Sequence, residues 1–159
     1  MSAIASFVSA FTYNPSSQPS NTLALTEDQQ GALGETIQLL KAKSSDILRL
    51  QELQRRLQEV HPLATCLHIC VVEPHLRTDL IAFKIQNPIV RWPLFVSEFA
   101  KTMDVANPTR MDDLIQHFSA ITGIPIGELR PFFFNKSGKH EYKAEAFLNY
   151  LFDPHHRHL

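Results

Sequence analysis

Cys66, His68 and Cys70 come closest to a reactive or metal-ligating set in this chain. On a strand all three share one face, but Cys66 and Cys70 then stand about 13 Å apart at a rise of ~3.3 Å per residue, too far for one ion or a disulfide. On a helix the cysteines approach each other, and further ligands must come from elsewhere. The simpler account is two small buried hydrophobes beside a core or edge histidine. Neither cysteine stands by a glycine turn or helix start that would lower its pKa. No nucleophile elbow, phosphate loop, GxGxxG or HExxH occurs. Asp112-Asp113 and Glu27-Asp28 are paired acids, yet each pair falls at a predicted helix start, where the positive dipole end favours carboxylates. His155, His156 and His158 form a terminal cluster that reads as a mobile tail before it reads as a metal site. These residues assign no catalytic group, metal site or cofactor.

A binding chemistry is better represented. Arg130, Lys136, Lys139 and Lys143 lie close together, interleaved with Phe132-Phe133-Phe134. Four basic residues against Glu141 alone give this stretch a local balance of +3. Cations that track phosphates and rings that stack on bases are what a single-stranded nucleic-acid surface requires. The plainer alternative is a solvated loop above a phenylalanine core. Just upstream, Phe118 to Leu129 has the outline of a helix-turn-helix, with Gly123 at the turn. Gly127 weakens its second helix and Pro131 breaks it, so a plain helix corner is the stronger reading against duplex DNA recognition.

Composition narrows the classes. The 159 residues carry 15 Lys+Arg and 16 Asp+Glu, a net charge of −1, which excludes a basic nucleic-acid coat over the whole chain. The apolar fraction of 44% suffices for a core, and the aromatic content is dominated by 11 phenylalanines. Two cysteines are not the framework of a small secreted domain, so a reducing, cytoplasmic setting is expected, or a virion for a coat protein. No run reaches the ~18–20 apolar residues of a membrane span. The first basic residue is Lys41, which argues against a signal peptide and against a basic membrane-surface helix at the N-terminus.

The elements that must carry these residues are mostly helical. Ile4, Phe7, Val8 and Phe11 fall at i, i+3, i+4, i+7, the spacing of one helical face. An uncharged stretch rich in proline and serine follows, Tyr13 to Asn21, and reads as a tether. A helix this short is marginal alone in water and must bury its face against its own body, another copy or a different molecule. Thr26 and Gln29 form a capping box for a helical pattern that runs to Val60, broken at Ser44-Ser45-Asp46. Ala64 to Val72 is dense in apolar and β-branched residues, and Ile81, Phe83 and Ile85 alternate. The two segments predict a small β-hairpin through Pro74–Thr78, with a buried helix as the rival for the first. Helices follow after Pro93, with Asn107-Pro108 as N-cap and N1 of the next, over Met111 to Ile121 with Gly123 as its C′ residue, and over His140 to Phe152.

The expected fold is therefore mainly α: a bundle-like helical domain over residues 24–153 with a small central β-hairpin. An N-terminal arm and tether occupy residues 1–23, and a His-rich tail residues 154–159. Within it, Thr109-Arg-Met-Asp-Asp-Leu-Ile-Gln-His-Phe-Ser-Ala-Ile121 resembles the Arg-x-Asp-Asp stretch of tobacco-mosaic-type rod-shaped virus coat proteins. That resemblance covers about a dozen residues, and the family's aromatic C-terminal signature has no counterpart here. The expected function is non-enzymatic. The chain is read as a subunit that assembles with itself through Ile4, Phe7, Val8 and Phe11, or docks on another protein. In its most specific form it is a viral coat- or nucleocapsid-type subunit that meets single-stranded RNA at Arg130–Lys143. The alternatives are a helix-turn-helix-like DNA regulator and a small metal- or thiol-dependent enzyme. Deleting residues 1–12 should lower oligomer mass in light scattering while helical circular dichroism is kept; an unchanged mass would remove the assembly expectation.

Overall fold

The computed structural model describes residues 23–103 and 110–159. The arm residues Ile4, Phe7, Val8 and Phe11, the tether, and Asn107-Pro108 lie outside the described residues. The helix expected to open at Asn107-Pro108 starts at Met111 and has Arg110 as its N-cap instead. Helix α1 spans Glu27–Lys41 and opens on the predicted capping box. The Gln29 amide donates to Thr26 Oγ1 at 3.1 Å, and the Thr26 amide donates to Gln29 Oε1 at 2.9 Å. The chain already enters the core at Leu23 and Leu25, both buried. The break at Ser44-Ser45-Asp46 is real. Lys43 turns the backbone at φ 54°, and Asp46 caps α2 (Ile47–Arg56) by accepting from the Arg49 amide at 3.0 Å. Arg49 then pairs with Glu35 through two nitrogens, each at 2.5 Å, and clasps α2 to α1. Arg56 does the same to Asp28 at 2.7 Å.

The central β-hairpin is not formed. Its first half is helical: α3 (Pro62–Leu67) runs into a π-helical turn at His68–Val72. Every residue from Pro62 to Cys70 is buried, so this segment is an inner helix surrounded by the others, and surround burial removes the periodicity that separates helix from strand. Its second half is α4 (Pro74–Gln86), with Pro74 at the first helical position, where a missing amide costs nothing. Leu80 and Phe83 turn inward with Leu76 packed beside them, a helical stripe, whereas Ile85 is exposed and ends the apparent alternation. An isolated two-stranded hairpin has too little buried surface to stand alone, and the helical stripe uses these side chains better.

Helices α5 (Arg91–Lys101), α6 (Met111–Thr122) and α8 (Ala144–Leu151) complete the body. Between α6 and α8 lie the one-turn helix α7 (Ile126–Leu129) and a 3₁₀ turn at Arg130–Phe132. Gly123 closes α6 at φ +79°, a left-handed position that glycine takes without a Cβ penalty. The last helix starts at Ala144 rather than at His140, because Phe134 and His140 pair in an isolated antiparallel bridge. Two aromatic chains fill the core. One runs Phe83, Trp92, Phe95, Phe99, and Trp92 also meets Phe152 edge-on. The other joins Phe118, Phe147, Phe132 and Phe133. Trp92 satisfies its indole N–H on Asn149 Oδ1 at 2.9 Å, which ties α5 to α8.

The C-terminal residues fold back rather than trail. The His156 ring meets Tyr150 edge-on at 4.4 Å, His158 Nε2 lies 3.3 Å from Glu128, and Leu159 packs against the core. Arg77 holds the same end by donating to the carbonyls of Leu151 and Asp153. No helix among the described residues is long and apolar enough to cross a membrane. Phe118 is fully buried between helices, so Phe118→Ala should cost about 3–5 kcal/mol of unfolding free energy in urea titrations. A loss below about 1 kcal/mol, the scale of surface substitutions, would contradict this core assignment.

Candidate functional site

The basic stretch becomes a site because Phe133 is driven inside. Its ring is fully buried, stacked on Tyr142 with centroids 5.0 Å apart and edge-on to Phe147. With Phe133 seated, the chain on either side must double back. The Glu141 amide donates to the Phe133 carbonyl at 2.9 Å, and the Lys143 amide donates to the Phe132 carbonyl at 2.8 Å. The turn between is set by Asn135, whose Oδ1 accepts from the amides of Ser137 and Lys139. Gly138 takes φ +83° at the same turn. The result is a cradle of about 410 Å³, open to solvent, at the junction of α7, the 3₁₀ turn and this loop.

Three of the four predicted cations line it: Arg130, Lys136 and Lys143. Lys139 belongs to the same turn but does not line the cavity. Of the three phenylalanines only Phe134 faces it; Phe132 packs on Phe147 and Tyr150, and Phe133 is core. The Arg130 guanidinium lies 4.4 Å from the centre of the Phe134 ring, a cation–π stack that fixes both walls. Arg130 also pairs with Asp112 from the first turn of α6. Lys143 sits 3.9 Å from Glu141, at the limit of an ion pair. Lys136 and Lys139 have no ion-pair partner among the described residues. Gly127, Pro131, Asn135 and Gly138 complete the lining. The sequence signal for them is the Asn-x-Ser-Gly turn, legible as a loop but not as a wall. Open, cationic and carrying one half-buried ring on its wall, the cradle can hold an extended anion such as a phosphodiester strand with a base against Phe134.

The other sequence candidates are placed differently. Cys66 and Cys70 are free and buried, on the inner helix. Burial holds the Cys66 thiol well above its ordinary value, and pushes that of Cys70 up to about 12. Both stay protonated at neutral pH, the inert state of a thiol. His68 bonds Glu73 at 2.7 Å across the π turn, and burial lowers its pKa although Glu73 opposes the shift. Among the described residues no three His, Cys, Asp or Glu side chains group so as to hold a metal ion. Asp112 and Asp113 stand in the first turn of α6, where they pair with Arg130 and Arg110. The helix-turn-helix outline ends in α7, which is only four residues long, and Arg130 begins a 3₁₀ turn. Arg110, within the stretch that resembles rod-shaped virus coat proteins, takes φ 66° at the cap of α6.

One polar feature was not visible in the sequence. His61 caps α3 by accepting the Leu63 amide at Nδ1, 3.0 Å away, and its Nε2 is buried without a hydrogen-bond partner. His140 Nε2 and the Tyr142 hydroxyl, from the loop that builds the cradle, are orphaned in the same way. No protein-family model matches this chain, and no curated protein or solved structure matches it.

Burial, reinforced by His140, pushes the His61 pKa down from 6.5 to about 4. The unfolded chain therefore takes up a proton below pH 6.5 that the folded chain refuses until about pH 4, so stability is whole above 6.5 and falls through that window. A shift of this size corresponds to about 3 kcal/mol at the acid end. His61→Asn, which keeps a capping acceptor, should flatten the acid limb of stability against pH in denaturant titrations. An acid limb identical to that of the parent chain would contradict the assignment.

Proposed function

We propose that this chain is a non-enzymatic binding subunit whose cradle of Arg130, Lys136, Lys143 and Phe134 takes single-stranded RNA, and which assembles with its own copies through its N-terminal arm. The convergence of three cations and one half-buried ring, Phe134, on a single cavity supports the RNA reading, because it supplies phosphate and base contacts together. The self-assembly half rests on the helical spacing of Ile4, Phe7, Val8 and Phe11 behind an uncharged tether. Buried, protonated thiols favour binding over a thiol-dependent reaction. A four-residue α7 is too short to lie along a major groove, which weighs against duplex readout. A coat- or nucleocapsid-type subunit is the most specific form of this reading.

The test is the salt dependence of binding to a single-stranded RNA oligomer and to a duplex of the same length. Each phosphate contact contributes about 0.7 to the slope of log Kobs against log salt on a single strand. Lys136→Ala with Lys143→Ala should therefore lower that slope by about 1.4 and weaken binding to single strands. Binding confined to the duplex, or an unchanged slope, would overturn the proposal.

A further inference from the structure

Between Ile85 and Leu94 the chain presents an apolar corner to solvent. Ile85 ends α4 at 63% exposure, Ile89 and Val90 form the turn at 83% and 64%, and Leu94 opens α5. Pro88 and Pro93 are exposed between them. Side chains of this kind scattered singly are ordinary; gathered at one corner they mark a contact surface. The corner is held firmly from below. Phe83 and Trp92 are buried with ring centres 6.3 Å apart, the Asn87 amide donates to the Phe83 carbonyl at 2.9 Å, and the Trp92 amide donates to the Asn87 carbonyl at 3.0 Å.

A collar of cations surrounds those two anchoring rings. Lys84 Nζ lies 5.5 Å from the Trp92 ring centre, the Arg91 guanidinium 5.5 Å from that of Phe83, and Lys41 Nζ 5.6 Å from the same ring. Arg91 reaches α1 by donating to the Lys41 carbonyl. The sequence from residue 80 to residue 97 contains Lys84 and Arg91 and no acidic residue. Asp153, beyond the end of α8, is one carboxylate that feels Lys84.

We infer that this corner is a peripheral membrane contact that inserts Ile89 and Val90 among the acyl chains of an anionic leaflet. Side chains exposed this far protrude, and protruding side chains enter a partner rather than receive one. An anionic bilayer surface offers an apolar layer for the tip and a negative potential for the collar at the same moment. A second copy meeting corner to corner would set collar against collar. The chain's own N-terminal segment carries no side-chain charge before Glu27 and has nothing to match the cations.

The experiment is co-sedimentation of the full chain with vesicles of phosphatidylcholine, with and without phosphatidylserine. The parent chain should associate with the phosphatidylserine vesicles and far less with phosphatidylcholine alone. Ile89→Asp with Val90→Asp should reduce that association by about tenfold or more, since insertion of one large aliphatic side chain is worth at least that factor. Lys84→Gln should reduce it about fivefold. Ile89 and Val90 are exposed and Lys84 is half-buried over Trp92, and unchanged circular dichroism and thermal unfolding establish that the variants fold. Lys136→Ala with Lys143→Ala, and deletion of residues 1–12, should leave vesicle association within about twofold of the parent, well inside the per-cation effect. The inference is overturned if the parent chain fails to bind the anionic vesicles, or if the aspartate pair binds them like the parent. It is overturned equally if the cradle variant or the deletion abolishes binding, or if the aspartate pair acts only by changing oligomer mass.

Discussion

Burial of Phe133 is the constraint on which the candidate site depends. It stands between Phe132 and Phe134 in sequence, and the three rings go to three places: two inward and one to the cradle. Removing one phenylalanine side chain from water is worth about 1.5–3 kcal/mol, enough to decide the path of a loop with few other long-range contacts. Once Phe133 is seated on Tyr142 and Phe147, Arg130 before it and Lys143 after it come to the same cavity. The loop does not need a sheet to hold it. Two backbone hydrogen bonds, the Phe134–His140 bridge and the Asn135 turn suffice, because the buried ring supplies the anchor.

The electrostatics follow the same economy. A nearly neutral chain reaches a local cationic surface by placing its acids elsewhere. Glu35 and Asp28 serve the α1–α2 clasp, and Glu73 serves His68. Asp112 serves Arg130, and that pair joins the start of α6 to the cradle. Being half exposed, it positions the guanidinium more than it stabilises the fold. The inner helix shows the opposite treatment of polar groups. His61 and the two cysteines are kept neutral by burial, so the middle of the molecule is a packing element with polar atoms rather than a reactive centre.

Local signals were legible in the sequence where a single principle ruled. Thr26-x-x-Gln29 forms the capping box, Asp46 breaks the first helical run, and Gly123 ends α6 with positive φ. The amphipathic faces of α5 and α6 point where their spacing says. Sequence pattern misleads where burial is total. Pro62 to Cys70 has no exposed face, so its composition suggested a strand although its surroundings make it a helix. The alternation of Ile81, Phe83 and Ile85 coincided with a helical stripe through Leu80 and Phe83. The four cations were legible as a cluster, but their division into three that line a cavity and one that does not depends on where Phe133 turns, which is a tertiary fact. The orphaned nitrogens of His61 and His140 depend on contacts far apart in sequence and carry no local signature.

The central functional claim is that an extended anion lies in the cradle beside Phe134. Amide chemical-shift mapping of the full chain during titration with a single-stranded RNA oligomer tests it residue by residue. The account predicts shifts that concentrate at Gly127, Asn135, Lys136, Gly138 and Lys143, with the Gly123 turn and the α4–α5 corner unmoved. Shifts concentrated at either of those two places, with the cradle amides silent, would contradict it.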